Sequence, residues 1–265
     1  MDDGFDLFAA ADEAELSIVF LDTETTGSDP EKEHICELAM IRTSYSGLSR
    51  VSETDRLSTL IRPPIPIPPE ASAVHHITDR MVEDAPAASE LAGRVSEFVE
   101  GAELICAHNL PFDLTLLRRT YPEIFESFRE PTWLDSLRLS RHVWPAIPSH
   151  ALQALRYRFG LDRGLSGDAH RASFDTELTR ALVERIASEE LEGMTSWREV
   201  AELARSPLEV QVFYFGKYRG NLVEDIVVRD ADYVRWLLSQ DWLPREYPDL
   251  YHTLLRKSGA GNSDR

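Results

Sequence analysis

Apolar residues fall in short, separated runs along this chain, and three such runs lie early in it. Segments Ser17–Asp22, His34–Thr43 and Arg56–Arg62 read as strands, and the turn-like stretches Gly27–Lys32 and Tyr45–Gly47 between them predict an antiparallel meander. The stretch Pro63-Pro64-Ile65-Pro66-Ile67-Pro68-Pro69 can be neither helix nor central strand, so it reads as a stiff extended connector. Thr78–Val82 and Ser89–Glu100 start with cap residues and read as helices. Glu103–Ala107 is a fourth strand, and Pro111, in the favoured first position, opens a helix over Asp113–Thr120. Thr132–Asp135 reads as a fifth strand, followed by helices near Ser136–Val143 and Ser149–Phe159. Over His170–Ala187 the residues Leu178, Leu182, Val183 and Ile186 make one helical stripe. A meander followed by alternating helices and strands predicts an α/β fold with a three-layer mixed sheet.

Composition changes near Thr195–Pro207. Beyond it, a strand at Val210–Phe215, the turn Gly216–Gly220 and helices near Leu222–Arg229 and Asp232–Ser239 predict a compact second unit rich in Tyr and Trp. The expected organisation is an acidic disordered leader over 1–15, a main domain over 16–192, a linker over 193–209 and a small module over 210–265.

Charge narrows the function. The 265 residues carry a formal net charge of −18, which disfavours tight non-specific binding to nucleic acid but leaves room for a local basic track. The leader alone holds Asp2, Asp3, Asp6, Asp12, Glu13 and Glu15. No apolar stretch approaches a membrane span, and the acidic N-terminus does not read as a secretory signal. Cys36 and Cys106 sit in strand-like apolar runs and are expected as buried free thiols of a cytoplasmic enzyme.

Four acids stand at element ends or on packed faces. Asp22 and Glu24 lie two apart at the end of the first strand, so both project to one face, while Thr23 points the other way. Asp113 falls in the first turn of its helix, and Asp175 lies on the inward stripe of the last long one, five residues after His170. Each acid alone reads equally well as a turn, a helix-start acid or a surface acid. Converging on one point, they would repel one another unless cations sat between them. Oxygen donors of this kind suit divalent magnesium or manganese and phosphodiester chemistry, with His170 as a base for the attacking water.

The motifs Phe-Leu-Asp22-Thr-Glu24-Thr-Thr-Gly27, Ala-His-Asn109-Leu-Pro-Phe-Asp113 and His170-Arg-Ala-Ser-Phe-Asp175, with Ile35-Cys-Glu37-Leu-Ala in the second strand, resemble the DEDDh-type 3′–5′ exonuclease family. Leu137–Pro145, Phe213–Gly220 and Tyr233–Leu237 are similar to the exonuclease X branch of that family, and the likeness covers about 17–240. The resemblance implies a ribonuclease H-like fold and two Mg²⁺ ions, with Mn²⁺ able to substitute. It implies that Asp22 bridges the ions, that Glu24 and Asp175 share one, that Asp113 serves the other mostly through water, and that His170 takes the proton. It places the Thr25-Thr26-Gly27 backbone and His75 against the terminal nucleotide, with Asn109 and Phe112 supporting the site. The implied partner is a nucleic acid 3′ end, DNA favoured over RNA, in repair or end processing. An RNA trimmer on the same core, a polymerase-associated proofreading enzyme and a non-catalytic nucleic-acid-binding scaffold remain open.

Three further segments stand outside that pattern. The turn after Gly27, Ser-Asp-Pro-Glu-Lys-Glu, is polar where a chain that wedges duplex ends apart would place apolar residues. Gly216-Lys217-Tyr218-Arg219-Gly220 interleaves basic and aromatic residues, either as a nucleic-acid contact or as a β-turn with Tyr218 packed inward. Gly4-Phe-Asp-Leu-Phe8 resembles the end of a sliding-clamp-binding peptide without its leading Gln, and suggests a clamp or polymerase contact through the leader.

Overall fold

The computed structural model describes residues 15–125, 133–167 and 169–259. The expected disordered leader and the clamp-like segment Gly4–Phe8 lie outside the described residues, apart from Glu15. The chain divides between Arg205 and Ser206 into two compact units.

The first unit is built on a five-stranded sheet of order β3-β2-β1-β4-β5. Strands β1 (Leu16–Thr25), β2 (Ile35–Ser46) and β3 (Ser49–Leu60) form the antiparallel meander. Strands β4 (Leu104–Ala107) and β5 (Trp133–Asp135) join parallel to β1. Helices α1 (Pro69–His75), α2 (Asp79–Val82) and α3 (Ala92–Val99) precede β4. Helices α4 (Leu110–Thr120) and α5 (Pro122–Phe125) follow it. After β5 come α6 (Ser136–Val143), α7 (Leu152–Phe159), α8 (Ala172–Glu189) and α9 (Trp197–Arg205).

Strand periodicity makes the three layers. On β1, Ile18 and Phe20 face one way, into a core with Leu178, Leu182, Val183 and Ile186 of α8 and Trp197 of α9. Val19 and Leu21 face the other way, against Val95 and Phe98 of α3 and Leu116 and Leu117 of α4. On β4 the same alternation sends Leu104 and Cys106 to the first core, Ile105 and Ala107 to the second. This is the ribonuclease H-like three-layer α/β architecture expected from the motifs. Cys36 and Cys106 are buried and free. No helix among the described residues is long and apolar enough to cross a membrane.

Helix α8 is anchored on the meander. Arg180 Nη1 donates to Glu53 of β3 at 2.7 Å, Arg56 Nε donates to the same carboxylate at 2.8 Å, and Arg56 also pairs with Glu177 of α8. The arginine hydrogen bonds pull the Glu53 carboxyl down to about 2. At the far end, the Tyr45 hydroxyl donates to Glu184 at 2.9 Å. These contacts tie the middle of α8 to β2 and β3.

Several local expectations need correction. Strand β3 starts at Ser49 rather than Arg56, and the proline run passes directly into α1, with Pro69 at its start. The linker expected over 193–209 contains α9, whose Trp197, Val200, Ala201 and Ala204 are buried in the first unit. The strand expected at Val210–Phe215 is reduced to one bridge between Val212 and Leu222. In the second unit, α10 (Val223–Arg229), α11 (Ala231–Leu238), α12 (Leu243–Glu246) and α13 (Pro248–Ser258) enclose a core of Phe213, Val223, Ile226, Val234, Leu237, Leu243, Leu250 and Leu254.

Candidate active site

Asp22 and Glu24, two residues apart on β1, share the sheet face of Ile18 and Phe20, which is the face α8 covers. Asp175, one turn into α8, approaches from that side. Oxygens of Asp22, Glu24 and Asp175 lie within 4.8 Å of one another, and these three are the acids that come together among the described residues.

Asp113 arrives from the opposite layer and stands outside this close set. Thr23, of opposite parity to its neighbours, turns toward α4, and its hydroxyl donates to Asp113 Oδ1 at 2.7 Å. Asp113 nevertheless lies near enough to Asp22 to act on its charge. Thr23 points away from Asp22 and Glu24 and is buried, as its parity predicts, and there it holds an acid.

Burial raises all four carboxyls, and like charge from the other site acids adds to it at Asp22 and Glu24. Burial, then the charges of Asp113, Asp175, Glu24 and Glu37, push the Asp22 carboxyl well above the usual carboxylate range. Glu24 is pushed up to about 8, chiefly by burial and then by Asp175 and Glu37. Burial pushes Asp113 up to about 7, against the pull of the Thr23 hydroxyl. Asp175 reaches about 6, where burial is offset by His170 and the Gln153 side chain. The donor set is all carboxylate oxygen, hard and anionic, and its excess charge is what a divalent cation relieves. It fits such an ion.

Glu37 of β2 lies directly across from Glu24 in the ladder and is itself buried. Its oxygens accept from Arg171 Nη2 at 2.5 Å, from Arg171 Nε at 3.1 and 3.2 Å, and from the Ala172 backbone N–H at 2.9 Å. A carboxylate at a helix start with a two-pronged arginine beside it fixes where α8 begins. His170, in the segment preceding α8, is exposed, and its backbone is left-handed (φ 59°). The Gly167 α-carbon abuts the Phe174 ring of α8, where a Cβ would lie 2.7 Å away.

The other expected site residues have different surroundings. Thr25 and Thr26 are buried: the Thr25 hydroxyl donates to Gly27 O at 2.6 Å, and the Thr26 hydroxyl donates to Glu33 at 2.6 Å. A Cβ on Gly27 would meet the Glu33 carboxylate at 2.8 Å, so close approach there is to a side chain of this protein. His75 does not face an open site. It is buried, its Nδ1 accepts from the Ile77 N–H at 3.0 Å, and its Nε2–H donates to the Thr25 carbonyl at 3.1 Å. Burial lowers the ring's pKa. His75 thus braces the strand end from behind. Asn109 begins α4 in a left-handed conformation (φ 70°), its N–H donating to Asp135 at 3.1 Å, and Phe112 is half-buried in the first turn.

Two contributors, Gln153 and Arg171, were not singled out from the sequence. Gln153 of α7 donates to Asp175 Oδ1 at 2.6 Å, and Arg156 Nη1 donates to the Gln153 carbonyl at 3.2 Å. Arg171 was readable only by pairing it with the acid of the second strand.

The family model RNase_T, described as an exonuclease, matches residues 19–183. Exodeoxyribonuclease 10 of Escherichia coli (strain K12) is 34% identical over 199 residues, spanning 75% of this chain and 82% of that protein. A DNA polymerase III subunit epsilon-like protein of Rhodobacter capsulatus is 38% identical over 188 residues, 70% of this chain but 26% of that one. Among solved structures, exonuclease X in complex with 5′ overhanging duplex DNA aligns with TM-score 0.50 and 29% identity, over 70% of this chain and 99% of that one. With the model covering more than half of its length, the chain belongs to the RNase_T exonuclease family and is an exonuclease.

Proposed function

We propose that the chain is a divalent-metal-dependent 3′–5′ exonuclease that releases nucleoside monophosphates from DNA 3′ ends, in repair or end processing. The observation that carries this reading is the meeting of Asp22, Glu24 and Asp175 within 4.8 Å, beside an exposed His170. The names of the relatives, an exodeoxyribonuclease and a DNA-bound exonuclease X, support DNA as the substrate.

Asp22, Glu24 and Asp175 would hold one or both of two Mg²⁺ ions, with Asp113 serving the second ion. Bound there, the cations neutralise the carboxylates and supply Lewis acidity to the phosphate and to the attacking water. His170 accepts a proton from that water as its oxygen bonds to phosphorus. The P–O3′ bond on the far side breaks in line, releasing a nucleoside 5′-monophosphate, and the leaving 3′-oxyanion takes a proton from solvent to give the strand's new 3′-hydroxyl. The proton on His170 then passes to solvent. Glu37 and Arg171 keep His170 and Asp175 in register by fixing the start of α8. The Thr25–Gly27 turn, locked from within by its own hydroxyls and by His75, forms a rigid floor beside Glu24.

Lip residues Ser28, Glu31 and Lys32 are exposed and polar, which favours single-stranded ends over blunt duplex ends. An end-labelled time course on single-stranded DNA, duplex DNA and matched RNA tests the reading. Stepwise loss from the 3′ end of DNA, faster than RNA and abolished by EDTA, is expected. Preferred loss of RNA, or product formation from the 5′ end, overturns it.

A further inference from the structure

The second unit carries a surface that the catalytic reading leaves unused, and the family model ends before it, at residue 183. Three rings line up across the turn after Phe213 and along α11. Tyr218 and Tyr233 meet edge to face with centroids 5.0 Å apart, and Tyr233 lies 5.7 Å from Trp236 at only 31° between planes. Trp236 ends the row with 52% of its surface exposed. Cations are set among the rings: Lys217 Nζ is 4.7 Å from the Tyr218 centroid and 5.7 Å from that of Tyr233, and the Arg229 guanidinium is 5.6 Å from that of Tyr218.

The row is held in place. Asp230 accepts from the Tyr218 hydroxyl at 2.5 Å, from Lys217 Nζ at 3.1 Å and from the Tyr233 N–H at 3.1 Å, where it also caps α11. A Cβ on Gly216 (φ 68°) would lie 3.0 Å from the Tyr233 hydroxyl, so a glycine suits both the left-handed turn and the close ring. Tyr218 does pack inward, as one sequence reading had it, but as the half-buried end of a row whose other end is open. Of the cations in and next to this turn, Lys217 pairs with Asp230, while the Arg229 guanidinium stays against the Tyr218 ring.

We propose that this row is a binding platform for single-stranded nucleic acid, separate from the residues that cut. Aromatic faces next to cations match the alternation of bases and phosphates, and such stacking tolerates any sequence. A purely apolar protein contact would not call for lysine and arginine over the ring faces. The choice of a polynucleotide rests on the exonuclease reading, and the experiment separates the two.

Binding of fluorescein-labelled (dT)20 to the full chain is measured in EDTA, so that no turnover occurs, and hydrolysis of (dT)4 is followed with Mg²⁺. Trp236→Ala should weaken (dT)20 binding about tenfold, within the usual worth of one stacked base, while Trp236→Phe keeps most of the affinity. Replacing Lys217 and Arg229 together by Gln should flatten the log–log salt dependence by about 1.4, the value for two phosphate contacts on a single strand. Hydrolysis of (dT)4 should stay at the wild-type rate in all three variants. Wild-type (dT)20 affinity in Trp236→Ala, or equal loss in Trp236→Phe, overturns the platform. Failure of the wild type to hydrolyse (dT)4 overturns the exonuclease reading and leaves the binding comparison intact.

Discussion

Glu24→Gln should make the metal-free protein more stable at neutral pH, and the gain should grow with pH. Folding raises the Glu24 carboxyl from 4.5 to about 8, and raises its neighbours Asp113 and Asp175 as well. The sign follows from proton counting. Between the unfolded and folded values, the folded chain keeps a proton that the unfolded chain releases, so stability falls as pH rises through that window. One such proton costs about 1.4 kcal/mol per pH unit, or about 3 kcal/mol between pH 5 and pH 7. His108, buried and lowered to about 4, works in the opposite direction below about pH 6.5, so the informative quantity is wild type minus variant. Urea unfolding in EDTA at pH 5, 6, 7 and 8, followed by circular dichroism, should show curves that coincide near pH 5 and diverge above it. Parallel pH profiles for the two proteins would refute the claim that like charge is crowded at this strand end.

Three other substitutions probe separate parts of the account. Arg171→Met leaves the buried Glu37 carboxylate without its guanidinium, and thermal melting should show a loss of about 3 kcal/mol; an unchanged melting temperature would remove the pair from the anchoring of α8. Gln153→Leu removes a hydrogen bond to Asp175, and should raise the half-saturating Mn²⁺ concentration in the nuclease assay by about 10-fold or more, as loss of a group supporting a metal ligand does. No change in metal requirement would make Gln153 a packing residue only. His170→Ala should cut the hydrolysis rate by about 10²–10⁴ with little effect on melting, since the side chain is exposed. A rate within a few-fold of wild type would move the proton to another acceptor.

The sheet and its two helical layers were legible because strand alternation and helix stripes are local. Ile18 to Leu21 and Leu178 to Ile186 announce buried faces from sequence alone. Strand β3 was read short because Ser49–Asp55 has no apolar alternation; it extends as an exposed edge, paired along β2 and clamped to α8 through Glu53. Helix α9 carries its apolar residues at 197, 200, 201 and 204, a helical pattern hidden within a segment read as a linker. At the site, strand parity put Asp22 and Glu24 on one face, and the motif resemblance named Asp113, Asp175 and His170 beside them. It could not tell that Asp113 enters from the other face of the sheet, nor that His75 turns its ring into the protein. Both depend on side-chain parity at a strand end meeting helices from distant sequence. Gln153 and the Arg171–Glu37 pair were illegible for the same reason: each partner is ordinary until the fold brings it to the other.

Calorimetric titration of Mn²⁺ into the metal-free protein at pH 7, in buffers of different ionisation enthalpy, tests the central claim most directly. The account predicts saturable binding that releases about one proton or more per protein, because carboxyls held protonated by their neighbours must ionise to become ligands. It also predicts that Asp22→Ala abolishes that binding. Absent binding, binding without proton release, or binding that survives Asp22→Ala unchanged would contradict it.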